Sequence, residues 1–242
     1  MKIDLKKYYN EREKLMSSNA IKGPVITFSR VYGCEANRIA RLLVNKVNER
    51  QFTMKRHPWR YISKEVLEES GKELGLHSTQ VDHRIQSHDM DSFKTLFASL
   101  GQHYDVSDQK IIDKVYNIVE TYANKGNVVI VGRGGSIVTK DMKNAVRIRL
   151  VAPLDWRASL ISAKMHISHD EALIIVRRMD HNRAKWVENL AGGPVEDSIY
   201  DLTINVKNVT DQEIIEMILR LMEDRGFIGP ALKYSKREKL IV

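Results

Sequence analysis

Pro24-Val25-Ile26-Thr27-Phe28-Ser29, followed by Arg30-Val31-Tyr32-Gly33-Cys34-Glu35-Ala36-Asn37, is the stretch on which the fold turns. The first six residues form a short apolar run after a polar leader (1–23), the pattern of a buried strand. The next eight, with a glycine and a change to mixed polarity, read as a loop. Beyond them Ile39, Leu42, Leu43, Lys46 and Val47 recur at helical spacing. Ala40 fills the same side, which predicts a helix to about Glu49. The order is strand, glycine-bearing loop, helix.

Outward from this unit the same order repeats. Trp59-Arg60-Tyr61-Ile62 supplies a second short strand, and Ser63 is a candidate N-cap for a helix carrying Val66, Leu67 and Leu74. The pattern weakens from Leu76 to Val106, where His77, His83, His88 and His103 fall among Asp and Ser without a compact ligand spacing. Ser107 opens a helix bearing Ile111, Ile112, Val115, Ile118, Val119 and Tyr122, which Gly126 ends. Val128 to Val131 is a strand running into Gly132-Arg133-Gly134-Gly135-Ser136. Val146, Ile148 and Leu150 alternate with Arg147 and Arg149 as another strand, and Pro153 precedes a helix from about Leu154. Ser168-His169-Asp170-Glu171 and Thr210-Asp211-Gln212-Glu213 are capping boxes opening two further helices. Gly192-Gly193-Pro194 stops the first of these, and Leu202-Thr203-Ile204-Asn205-Val206 is a last strand between them. No internal repeat is visible, and the tail from 226 to 242 is basic.

Strands separated by helices predict crossover connections and a parallel sheet covered on both faces. Ligands of such sheets sit at the carboxyl ends of the strands. Both glycine-bearing loops leave carboxyl ends of strongly apolar strands.

A single cysteine, Cys34, excludes an internal disulfide framework and fits a reducing compartment. The N-terminal residues carry no apolar core of a secretory signal, and the aliphatic runs are too short to span a bilayer, so a cytoplasmic location is expected. Net charge is +8, with 14 Lys/Arg against 5 Asp/Glu in residues 1–60. That surplus suits phosphates, nucleic acid or an anionic surface, or simply a solvated basic face. No zinc spacing, RNA-binding strand signature or aromatic-interleaved basic stripe points to nucleic acid.

A strand-to-helix loop can wrap backbone N–H groups around phosphate, aided by the helix N-terminus. The standard form is G-x-x-x-x-G-K-[ST], of which only Gly33 is present. A plain turn fits that residue equally. Arg133 lies between Gly132 and Gly134, where glycine allows close backbone approach and a guanidinium can grip phosphate with two donors. It also fits an exposed turn. Arg177, Arg178, Asp180 and Arg183 fall within two turns of one helix, with Asp180 placed to orient Arg183 at i,i+3. They suit a lid that neutralises charge in phosphoryl transfer, or a surface ion-pair ladder.

Ile26-Thr27-Phe28-Ser29-Arg30, Tyr61-Ile62-Ser63-Lys64-Glu65, Val131-Gly132-Arg133-Gly134, Asp180-His181-Asn182-Arg183-Ala184 and Tyr200-Asp201-Leu202 together resemble the cytidylate-kinase-like family, relatives of the P-loop nucleoside monophosphate kinases. The resemblance implies a three-layer α/β fold over about residues 24–225, a parallel sheet flanked by helices. It further implies a helical acceptor-side lobe at 76–106 and a lid at 168–194. ATP and Mg2+ are the implied cofactors, and a nucleoside monophosphate or similar phosphorylated molecule the implied acceptor. Ser29, Arg30, Tyr32, Gly33, Cys34, Ala36, Asn37 and Arg38 stand at the family's phosphate loop. Arg133 stands at its acceptor-gripping arginine, and Asp180 and Arg183 at its Asp-x-x-Arg lid motif, with Arg178 beside them. Where family members read S-R-x-[FY]-G-S-G-G-[RK]-x-I, this chain has Cys34-Glu35-Ala36-Asn37 in place of Ser-Gly-Gly-Arg/Lys. Glu35 adds an anion, Asn37 removes a cation, and Arg38 is the nearest substitute. Two functions are therefore expected to compete: a kinase, and a binding or regulatory relative on the same fold.

Overall fold

The computed structural model describes residues 23–51, 58–63 and 109–229. Their centre is β1 (Val25–Arg30), whose first four residues are buried. Its neighbours are β3 (Val128–Val131), all four residues buried, and β4 (Ala145–Val151). With β2 (Arg60–Ile62) and β5 (Leu202–Asn205) they form one sheet in the order β2-β3-β1-β4-β5, every pairing parallel.

These strands read as continuous apolar runs because both faces of the sheet are covered. Ile26, Phe28, Val129, Val131, Val146 and Ile148 face one core, shared with α1 (Ala36–Gln51) and α6 (Asp211–Asp224). Val25, Val128, Ile130 and Ala145 face the opposite core, built with α2 (Gln109–Lys125), the short α3 (Gly135–Val138) and Leu190 of α5 (His169–Ala191). A smaller cluster of Ala158, Ile161, Ala172 and Val176 joins α4 (Leu154–Met165) to α5. Phe28 is 1% exposed, and truncation to alanine there costs about 3–5 kcal/mol.

Both capping boxes form: Ser168 and Thr210 accept from the amides of Glu171 and Glu213, whose carboxylates return to the cap amides. Gly126 and Gly192 take the left-handed conformation that ends their helices. Three details differ from expectation. The buried stripe of α1 is Ala36, Ile39, Ala40, Leu43, Val44 and Val47, whereas Leu42 is 39% exposed. Lys46 is exposed beside Glu49, since a stripe at 36/39/40/43/44/47 leaves 42 and 46 at its edge. Helix α1 begins inside the stretch read as loop, and α3 was not foreseen; left-handed Gly134 starts it and Thr139 Oγ1 bonds back to Gly135 O. The helix expected after Ser63, the histidine-bearing segment 76–106, the leader (1–22) and the tail beyond 229 lie outside the described residues. No described helix is long and apolar enough to cross a membrane.

Candidate anion-binding site

Register places the two glycine-bearing loops side by side. Phe28 pairs with Val131 on one flank and Ile148 on the other, and Gly132 N donates to Phe28 O at 2.8 Å. The β1 loop climbs through Gly33 (φ 94°) and Glu35 (φ 40°) into α1, where Glu35 O accepts from Ile39 N at 3.4 Å. Arg38 N donates to the same Glu35 O at 2.9 Å, which leaves the amides of Ala36 and Asn37 as the first-turn donors of α1 for an anion. Gly33 is favoured by its φ of 94°, and a Cβ there would stand a tight 3.2 Å from Arg157 Cβ.

Around this loop each expected residue has a definite place. Ser29 Oγ accepts from Tyr200 Oη at 3.1 Å. Ala36 and Cys34 are buried, and desolvation pushes the Cys34 thiol up to about 11, so it stays protonated at neutral pH. Asn37 brings no cation, and its Oδ1 is buried without a hydrogen-bond partner. Arg38 does not replace the missing lysine. Its guanidinium pairs with Glu35 at 3.0 Å and with Asp211 at the start of α6, so both carboxylates hold it away from the loop's centre.

Positive charge comes instead from three other elements. Arg30, at the end of β1, lies with its guanidinium directly against Gly132, where any side chain would displace it. Burial, then the neighbouring Arg183 and Arg133, hold its pKa well below the ordinary arginine value. No carboxylate pairs with Arg30 among the described residues. Arg133 sits at φ 55° between Gly132 and Gly134, also left-handed, and its Nε donates to Ser63 O at 3.4 Å. Arg183 reaches in from α5, its guanidinium 5.1 Å over the Tyr32 ring and its Nη1 3.5 Å from Arg30 O. Burial lowers the Arg183 pKa, partly opposed by Asp180 and Tyr32. Three guanidinium groups thus converge where the β1 and β3 loops meet.

Asp180 does not pair with Arg183 as the i,i+3 spacing suggests. Its Oδ1 accepts from Tyr32 N at 2.6 Å and its Oδ2 from Arg157 Nη1 at 2.6 Å. The same Arg157 Nη1 donates to Tyr32 O at 3.0 Å, and its Nε to Ala152 O at 2.9 Å. Sequence reasoning missed Arg157. The available signal was an arginine beside Ala158 and four residues before Ile161, both core residues of α4. Arg178 is not brought to the cluster: it is exposed, and two residues before Asp180 puts it roughly 200° around the helix. Arg177 is exposed too.

A phosphate group fits these surroundings, with helix amides below and guanidinium groups beside it. A magnesium ligand set does not. The position that carries Ser/Thr in the standard loop is Arg38, and no cluster of three or more His, Cys, Asp or Glu able to hold a metal occurs among the described residues.

The chain is similar in sequence and in fold to several known proteins. The sequence profile of the cytidylate kinase-like family matches residues 25–208. The cytidylate kinase of Sulfolobus acidocaldarius is 29% identical over 120 residues, 49% of this chain and 64% of that protein. The cytidylate kinase of Pyrococcus horikoshii is 35% identical over 121 residues, 48% of this chain and 59% of that one. The chain therefore spans about three fifths of the length of these relatives. A crystal structure of an uncharacterized protein from Eubacterium ventriosum superposes with a TM-score of 0.58 at 19% identity, covering 84% of this chain and 99% of the other, a likeness of fold.

Proposed function

The chain belongs to the cytidylate kinase-like family, with its three-layer P-loop-kinase-like sheet, and on that premise we propose that it is a phosphotransferase. The γ-phosphoryl group of ATP passes to a nucleoside monophosphate, cytidylate-like, or to a similar small phosphorylated acceptor. The observation that carries this proposal is the convergence of Arg30, Arg133 and Arg183 at the meeting of the β1 and β3 loops, with Arg30 buried against the other two. Buried like charges repel one another, and an arrangement that tolerates this is suited to an anion that relieves it. In phosphoryl transfer positioning and electrostatics do most of the work, so no protein nucleophile is needed. Arg133 grips the acceptor, Arg183 stabilises the transferring charge, and the α1 amides with Gly33 hold the donor's phosphates. Magnesium accompanies ATP in such reactions. A cytoplasmic location goes with such a substrate.

A second role has its own support. Arg38 is tied to Glu35 and Asp211, and Asn37 offers no charge. The donor side of the loop is therefore poorer in cations than the acceptor side. A relative that binds a nucleotide or phosphate for regulation and transfers it inefficiently fits that asymmetry.

Phosphoryl transfer from ATP to a panel of nucleoside monophosphates separates the two, with Arg183→Ala and Arg133→Ala beside the parent. Loss of one such charge stabiliser lowers turnover about 10²–10³-fold. Unchanged turnover in Arg183→Ala refutes its role. Nucleotide binding with no transfer to any acceptor selects the binding relative, and no nucleotide binding at all refutes the site.

A further inference from the structure

We propose that Arg157 and Asp180 are positioning residues that clamp the backbone of Tyr32, so that the shape of the phosphate loop depends on α5 being docked against α4. Both polar groups of the Tyr32 peptide backbone are taken: its N–H by Asp180 Oδ1 at 2.6 Å, its carbonyl by Arg157 Nη1 at 3.0 Å. The two side chains are joined to each other at 2.6 Å, with side-chain exposures of 7% for Arg157 and 24% for Asp180. Arg157 Nε is fixed in turn to Ala152 O, at the junction of β4 and α4. The apolar contacts run the same way, since Ala158 and Ile161 of α4 pack on Ala172 and Val176 of α5, with Tyr32 against that cluster.

The loop's own restraints lie at its α1 end, where Arg38 pairs with Glu35 and Asp211, and none of them holds the Tyr32 backbone. Glu35 stands at φ 40°, a conformation ordinarily left to glycine, and Asn37 Oδ1 is unsatisfied. Two elements more than 120 residues away in sequence supply the restraint instead. If α5 lifts, Tyr32 loses its amide partner and Arg157 its counter-charge in one step. Cys34, two residues on and 2% exposed, is then uncovered. The clamp's bearing on phosphate rests on the function proposed above; the clamp itself does not.

Cys34 is the sole cysteine and reports loop opening directly. The full chain and its Asp180→Asn, Arg157→Lys and Asp201→Asn variants are labelled with a thiol-specific disulfide reagent under native conditions. Urea denaturation of each gives its global stability, and ATP is the probe for binding. Asp180→Asn is expected to label about tenfold or more faster than its global stability accounts for, because a charge-assisted hydrogen bond to the loop has gone. Arg157→Lys keeps the charge and loses the fork, so it labels at an intermediate rate. Asp201→Asn, whose partners are Arg147 and Arg225 and not the Tyr32 backbone, labels only as fast as its lost stability dictates. ATP affinity falls about tenfold in Asp180→Asn and not in Asp201→Asn. Labelling in Asp180→Asn no faster than in Asp201→Asn at matched stability overturns the clamp. Faster labelling with unchanged ATP affinity overturns its link to phosphate. If Asp180→Asn does not fold, Arg157→Lys decides by the same comparison. If the parent binds no ATP, only the proposed function fails, and labelling still decides the clamp.

Discussion

Arg30→Met separates a ligand-binding arginine from a structural one, because the two roles move stability in opposite directions. Arg30 carries a guanidinium into the sheet end beside Arg183 and Arg133, with burial as the largest influence on its pKa. Methionine fills similar length and removes both the desolvation and the repulsion. Replacing a poorly compensated buried charge with an apolar side chain stabilises by about 1–4 kcal/mol, and the partial exposure of Arg30 argues for the lower half of that range. For a chain of this size each kcal/mol moves Tm by about 2–4 °C, so the ligand-free variant is expected to melt about 2–10 °C higher. ATP or inorganic phosphate, however, loses a charge-assisted contact of about 1.5–3 kcal/mol. Affinity should fall by about tenfold to 150-fold. Thermal denaturation with and without ligand reads both effects at once: a raised baseline and a reduced ligand-induced shift. A lowered Tm with unchanged affinity would refute the idea and make Arg30 a structural support for the β3 loop.

Three further outcomes are expected. Burial alone would raise the Asp201 carboxyl, but hydrogen bonds from the backbone and side chain of Arg147 and from Arg225 pull it below its ordinary 3.8. Its contribution is thus present above that value and lost as pH falls through the lower folded value. Asp201→Asn should cost about 1–3 kcal/mol near neutrality and flatten the acid limb of urea-denaturation stability below about pH 4, leaving the slope above about pH 5 unchanged. A spectroscopic pH titration of the Cys34 thiolate in the folded chain should rise toward a midpoint of about 11, and a midpoint near the ordinary 9.0 would show the thiol unburied. The double substitution Glu35→Gly with Asn37→Lys removes an anion and a left-handed non-glycine residue while adding a cation. ATP affinity should rise about tenfold by calorimetry, and binding undetectable in both forms would mean that the loop does not hold phosphate.

Much of the architecture was legible because it rests on local chemistry. Apolar runs such as Val25–Phe28 and Val128–Val131 can only be strands buried on both faces, and the alternation with helices then dictates a parallel sheet. The two capping boxes and the glycines at 126 and 192 mark helix ends through bonds that span three or four residues. Gly33, Arg133 and Arg183 were visible for the same reason, standing in loops and motifs with their own spacing. The charge partners were not. Asp180 sits three residues before Arg183, yet its carboxylate is spent on Tyr32 and on Arg157, 148 and 23 positions away. Arg38 stands beside the vacant lysine position, yet Asp211 from another helix draws it off. The sequence by itself determined which of the longer segments are strands and helices, the order in which they alternate, and that a glycine-bearing loop follows β1. Only the tertiary structure decided which arginines face that loop, because long cationic side chains choose their carboxylates by distance in space, which spacing along the chain does not encode.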